Sequence, residues 1–141
     1  MKKKIIALCI LIAAVVSVLI FGDSLIRAYV SVFDDNLEAY AVNLLENEER
    51  TSDRYGLWKT KCYPEDGMVE FRTGGSGLAP SSAYKGFYYS ADDSHKVFSA
   101  AGEENVSMTI DGDSAEWTDG TDNNGISLRI TENWFWYEAS F

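Results

Sequence analysis

The sequence predicts a mainly β fold in which an N-terminal transmembrane helix continues into an amphipathic helix and then a small antiparallel β-sheet, barrel-like or sandwich domain. Three observations carry that expectation. An uncharged apolar run fills residues 5 to 21, apolar residues then recur at helical spacing to about residue 47, and short aromatic and β-branched runs follow, separated by Gly, Asp, Asn and Ser clusters. The implied organisation is a basic cytoplasmic tip at residues 1–4, a membrane anchor at 5–22, an amphipathic helix at 23–50 and an extracytoplasmic β domain at 51–141.

The apolar run opens after Lys2, Lys3 and Lys4 and closes at Gly22-Asp23, with Ser17 its one hydroxyl. Seventeen residues from Ile5 to Phe21 span about 26 Å at about 1.5 Å each, near the lower limit for a membrane helix and long for a signal-peptide core. Small residues are missing where a signal peptidase would need them, since Val18, Leu19, Ile20 and Phe21 close the run; only Gly22-Asp23-Ser24 offers a weak match. An uncleaved anchor is therefore expected, its lysines cytoplasmic and the rest of the chain outside. The alternative is secretion after signal cleavage.

From Ser24 onward, Ile26, Tyr29, Val30, Phe33, Leu37, Tyr40, Ala41, Leu44 and Leu45 form one helical stripe, with Arg27, Asp34, Asp35, Glu38, Asn43 and Glu46 between them. The stripe is expected to pack on the β domain, adding stability without forming its core. Self-association and a position flat on the membrane are the competing uses, although an acidic polar face disfavours anionic lipid.

A polar connector, Glu48 to Arg54, leads into strands expected near 55–63, 68–73, 85–90, 96–100, 106–111, 115–118, 126–131 and 133–140, with turns at Asp111-Gly112 and at Asp122 to Gly125. The aromatic content lies almost wholly after residue 52, which excludes disorder and leads us to expect that residues 52–141 fold alone. In the last strand Phe135, Tyr137, Ala139 and Phe141 share one face and are expected in the core. Trp134, Trp136, Glu138 and Ser140 share the other, where Trp134 and Trp136 are expected to pack in the core or half-buried, with a platform for stacking on a sugar or a partner side chain as the alternative.

Charge and motif arguments narrow the chemistry. The net charge is −10, and from residue 52 onward fifteen acidic residues face seven basic ones, so nucleic acid is not an expected partner. Cys9 and Cys62 cannot pair if Cys9 lies in lipid, and Cys62 reads as a small buried hydrophobe. The acidic run Asp111 to Gly125 has the oxygen content of a calcium loop but not its spacing, since Ala115 stands at a ligand position and Glu116 where the glycine belongs. Gly74-Gly75-Ser76-Gly77-Leu78 is close to a nucleophile elbow, yet Leu78 replaces the final glycine and no helix pattern follows. A serine triad would depend on His95, the one histidine, and Cys62 with His95 would leave zinc two ligands short. Asn105-Val106-Ser107 is a formal glycosylation acceptor. No catalytic, cofactor-binding or metal-binding residue is assigned from the sequence.

A hydrophobic helix running into an amphipathic helix and a β-rich head resembles the architecture of type IV pilin-like proteins. The signature departs from theirs, with Lys4 where the pre-pilin glycine belongs and Cys9 in place of the glutamate. The phrases Tyr55 to Thr60, Gly77 to Ser82, Gly86 to Ser90 and Trp134 to Phe141 resemble those of small, uncharacterised N-terminally membrane-anchored bacterial proteins with a β-rich ectodomain. That resemblance covers most of residues 55 to 141 and implies no activity. The expected function is a non-enzymatic binding or cell-envelope accessory module, touching the bilayer through residues 5–22 and an envelope protein or glycan through its β domain. A self-assembling structural component is the second expectation and a small envelope enzyme the third.

Overall fold

A computed structural model describes residues 2–47, 52–78, 81–98 and 106–141. The connector residues 48–51, the end of the strand expected at 96–100, and Asn105 lie outside the described residues. The N-terminal helical segment, Lys2–Glu46, divides into α1 (Ile5–Val18) and α2 (Ile20–Glu46), bent by 65° from one another. No single helix among the described residues is long and apolar enough to cross a membrane, while this bent pair satisfies the requirement by length and composition. Within Lys2–Glu46 the backbone leaves helical values at Phe33 (φ −115°, ψ 22°), where the Asp34 carboxylate accepts the Asp35 N–H at 3.0 Å. A side-chain acceptor thus serves an amide at the break.

The β domain is one eight-stranded antiparallel sheet. Its strands are β1 (Ser52–Tyr55), β2 (Trp58–Tyr63), β3 (Met68–Leu78), β4 (Ser81–Ser90), β5 (Ser107–Asp111), β6 (Ser114–Thr118), β7 (Asn124–Thr131) and β8 (Trp134–Ser140). Their spatial order, β1-β2-β3-β4-β8-β7-β6-β5, joins two four-stranded meanders along the β4·β8 seam. The sheet is open, with β1 and β5 at its edges, which corrects the barrel and sandwich alternatives. The physical reason is that both faces are already covered, one by α2 and one by the chain after β4, so no second sheet is needed to bury them.

On the first face Val30, Leu37 and Ala41 of α2 are fully buried against Cys62, Val69, Phe71, Phe87, Tyr89, Trp134 and Trp136, with Ile26, Tyr40, Leu44 and Leu45 packed around them. The helix therefore supplies part of the main core, which corrects the expectation of a core without it. The apolar stripe read at helical period is the same, but the strand residues it covers are aromatic rings too large to close over one another. Phe71 and Phe87 stack 4.8 Å apart, and Tyr40 packs 5.9 Å from Phe71.

On the opposite face Met68, Tyr88, Trp117, Phe135, Tyr137 and Ala139 are buried beneath Val97, Phe98 and Val106. The described part of the expected strand at 96–100 is not a strand. Lys96 N donates to the Tyr88 hydroxyl at 2.9 Å, and the Phe98 ring stacks on Tyr137 at 4.0 Å, so side chains of the sheet hold this segment across its face. The strand expected at 55–63 is also a hairpin: Gly56 at φ +59° reverses the chain, pairing Tyr55 with Trp58. The expected turn at Asp122 to Gly125 begins earlier. Asp119 accepts from Thr121 N at 3.0 Å and Asn123 Nδ2 at 2.7 Å, which fixes the turn, while Asn124 and Gly125 pair in β7 with Ser140 and Ala139.

Three buried tyrosines give the fold a pH limit. Burial pushes the Tyr88 hydroxyl up to about 12, burial with the Glu38 carboxylate brings Tyr89 to about 12, and burial with Glu70 raises Tyr137 further. The neutral phenol is the form the fold favours, so its contribution is intact below the unfolded value of about 10 and is lost as pH rises beyond it, by about 1.4 kcal/mol per pH unit for each group. The denaturant midpoint is expected to be level up to pH 9 and to fall steeply between pH 10 and 12. Equal midpoints at pH 9 and 11.5 would contradict this burial.

Candidate functional site

The two meanders place unlike chemistry on the sheet. Because the β1–β2 turn is only two residues long, Arg54 stands directly opposite Lys59, and Lys59 stands opposite Arg72 of β3. Three cations thus sit in one row across three strands, on the face turned away from α2. Like charges in direct cross-strand register repel. Among the described residues neither Arg54 nor Lys59 has an ion-pair partner, and both are exposed.

Arg72 is built in more firmly. Its Nε and Nη2 donate to Oε1 of Glu70 at 3.0 and 2.9 Å, and its guanidinium lies 4.2 Å from the centre of the Tyr84 ring. Glu70 is only 1% exposed and also accepts from the Tyr137 hydroxyl and, at 3.3 Å, from that of Tyr63. Burial works against the Arg72 cation, but the Glu70 carboxylate outweighs it and holds the guanidinium above its ordinary pKa. The Glu70 bonds leave Arg72 Nη1 without a hydrogen bond among the described residues.

Arg54, Lys59, Arg72 and Tyr84 line a cleft of about 370 Å³ together with Leu57 and the backbone of Gly74 to Gly77. A bulge between Arg72 and Gly74 turns that backbone, and Thr73 Oγ1 donates to Lys85 O at 3.2 Å across it. Gly75 is required by close approach: a Cβ there would lie 2.7 Å from the Tyr84 ring. The cleft combines two cations without an ion-pair partner among the described residues, a pre-oriented guanidinium, an aromatic ring and a glycine-rich backbone. This chemistry suits an anionic group.

A second polar cluster is enclosed. Ser127 Oγ lies 2.6 Å from the Tyr88 hydroxyl and 2.8 Å from His95 Nδ1, and Ser127 is fully buried. Burial, with help from the Arg129 cation, pushes His95 below its ordinary pKa, so the ring is neutral at pH 7. His95 packs 4.8 Å from Phe135, and Arg129 donates at 2.6 Å to each Asp93 oxygen. The cluster fastens the chain after β4 onto the sheet.

The alternative reading of Trp134 and Trp136 as an exposed platform is corrected. Both are buried, at 0% and 1% exposure, in the core beneath α2, and neither ring faces solvent. Trp136 donates to Glu138 Oε1 at 3.2 Å, whereas the Trp134 indole N–H is unpartnered among the described residues. Gly74 to Leu78 form part of β3 and not a strand-to-helix elbow. Along the acidic run Asp119 is engaged by its own turn, and among the described residues no three His, Cys, Asp or Glu side chains converge as a ligand set. Cys62 is buried.

The sequence reading missed Arg54, Lys59, Arg72 and Tyr84 as a group. Recognising Gly56-Leu57 as a two-residue turn would have placed the first two opposite one another. Comparison with protein-family models, curated proteins and solved structures gave no match.

Proposed function

We propose that this chain is a membrane-anchored, extracytoplasmic and non-enzymatic binding module that takes an anionic ligand in the cleft of Arg54, Lys59, Arg72 and Tyr84. The cross-strand row of three cations carries the reading, because such a row is unfavourable in the free protein and is relieved by a bound anion. It stands out against a net charge of −10. The anchor is supported by the uncharged run from Ile5 to Phe21 with lysines before it and Asp23 after it. A reporter active only outside the cytoplasm, fused after Phe141, is expected to be active, and the mature protein to keep the mass of the whole chain. Recovery of a soluble product beginning near Leu25 would overturn the anchor.

Binding is tested on the full chain in zwitterionic detergent by following the amides of Gly74 to Gly77 during titration with pyrophosphate. Saturable shifts are expected, and Arg54→Glu with Lys59→Glu should weaken them at least tenfold, about 1.4 kcal/mol. Shifts that are absent, or equal in the variant, would remove the cleft as the site.

Assembly of copies is the second reading, and one observation favours it. Leu25, Val32 and Phe33 of α2 are exposed beside the buried stripe. Cross-linking in membranes that captures a second copy, lost in Val32→Glu, would support it.

A further inference from the structure

The position of the cleft relative to the anchor narrows the ligand, on the reading that the chain is anchored and the cleft takes an anion. Asp23, the first charged residue after the apolar run, is gripped by Lys85 Nζ at 2.8 and 2.7 Å. Lys85 pairs with Gly74, a residue of the cleft lining, and the neighbouring register pair is Arg72 with Gly86. The apolar run therefore leaves the domain at the cleft's end of the sheet. Tyr29, six residues beyond Asp23, meets Trp58 at 5.5 Å, which brings the β1–β2 turn to that end as well.

At the tip of this turn Leu57 is 92% exposed and touches the cleft. Leu25, Val32 and Phe33 expose further apolar surface on α2, across the sheet from the cleft. Cations beside exposed apolar side chains, at the end where a membrane segment emerges, match the layered chemistry of a bilayer surface: phosphate outside, acyl chain within. The acidic Asp119–Asn123 turn lies at the same end, because Asn124 and Ala83 both pair with Ser140. It is four to five strands away from β2 in the sheet order, at about 4.8 Å per strand, well beyond the screening length of about 8 Å in physiological salt. The cluster thus acts as a local positive site despite the acidic whole.

We propose that the cleft holds the phosphate headgroup of an anionic phospholipid in the bilayer that carries the chain's own anchor, with Leu57 entering the acyl boundary. The domain is then laid against the membrane by its β1–β2 hairpin.

The test uses the full chain carrying Leu57→Cys in nanodiscs of phosphatidylcholine alone or mixed with phosphatidylglycerol, read by the labelling rate with a membrane-impermeant maleimide. Cys62 is buried and Cys9 lies within the apolar run, so the reagent reports position 57. Labelling is expected to slow about tenfold on the anionic discs, as for a hairpin docked about nine-tenths of the time. Arg54→Glu with Lys59→Glu should restore the rate seen on phosphatidylcholine. Slowing that survives this reversal, or that is equal on both lipids, would overturn the proposal. If pyrophosphate shifts Gly74 to Gly77 in detergent while Leu57→Cys labels equally fast on both discs, the lipid is the wrong ligand and the anion cleft stands. With neither effect, both readings fall.

Discussion

A fragment beginning at Ser52 is expected to show no cooperative melt, whereas one beginning at Ser24 should melt as a single unit. Val30, Leu37 and Ala41 are fully buried against the sheet. Full burial of a valine or leucine side chain contributes about 1.5–3 kcal/mol, and small domains have only about 5–15 kcal/mol in all. Removing the helix forfeits the burial of Val30 and Leu37 and also uncovers Phe71, Phe87, Trp134 and Trp136, so the loss approaches the whole stability. Circular dichroism melts of the two fragments decide it. A cooperative melt of residues 52–141 at the temperature of the longer fragment would show that the helix is an accessory. Leu37→Asp in the longer fragment should reproduce the loss, which separates packing from chain length.

The second large effect is expected at Glu70. Replacing it with alanine leaves the Tyr137 hydroxyl, the Tyr63 hydroxyl and the Arg72 guanidinium without their shared acceptor. Breaking a buried charged pair by removing one partner costs about 3–5 kcal/mol. The Arg72 side chain is 35% exposed, which screens its share, so about 3 kcal/mol is the expected loss. Tyr137→Phe removes one hydroxyl and should cost about 1–3 kcal/mol. Urea denaturation of Glu70→Ala, Arg72→Ala and the double variant measures the coupling, and additive losses would show that the pair does not act as a unit. Arg72→Ala should also weaken anion binding in the cleft, because the Glu70 carboxylate orients the guanidinium.

How far the sequence spoke depended on whether the signal was local. The helical stripe of α2 was legible because its period is written in consecutive residues, and six of the eight strands lie close to where alternation and turn residues put them. The sheet's order was not legible. Neighbours such as Phe87 and Trp136 are brought together by a register that no local pattern records. Alternation also misled at β8, where Trp134 and Trp136 read as a half-polar face because Glu138 and Ser140 follow on the same side. In the fold that face changes environment along its length, with the two tryptophans beneath α2 and Glu138 and Ser140 beyond its cover. The cleft was hidden for a similar reason: Arg54, Lys59 and Arg72 are ordinary surface cations until the β1–β2 turn sets them side by side.

The β4·β8 seam has a bearing on how the protein is made. β8, at the centre of the sheet, is synthesised after the other seven strands, so Phe87, Tyr88 and Tyr89 of β4 wait beside an unpaired edge while residues 91 to 133 are still being synthesised or exported. A free apolar strand edge invites pairing with another chain. Early termination before Trp134 therefore differs in kind from loss of an edge strand: it leaves β1 to β4 and β5 to β7 with no strand to join them. The nascent chain must be kept from its neighbours until β8 arrives, and the folding step that completes the sheet is the insertion of that strand beside β4.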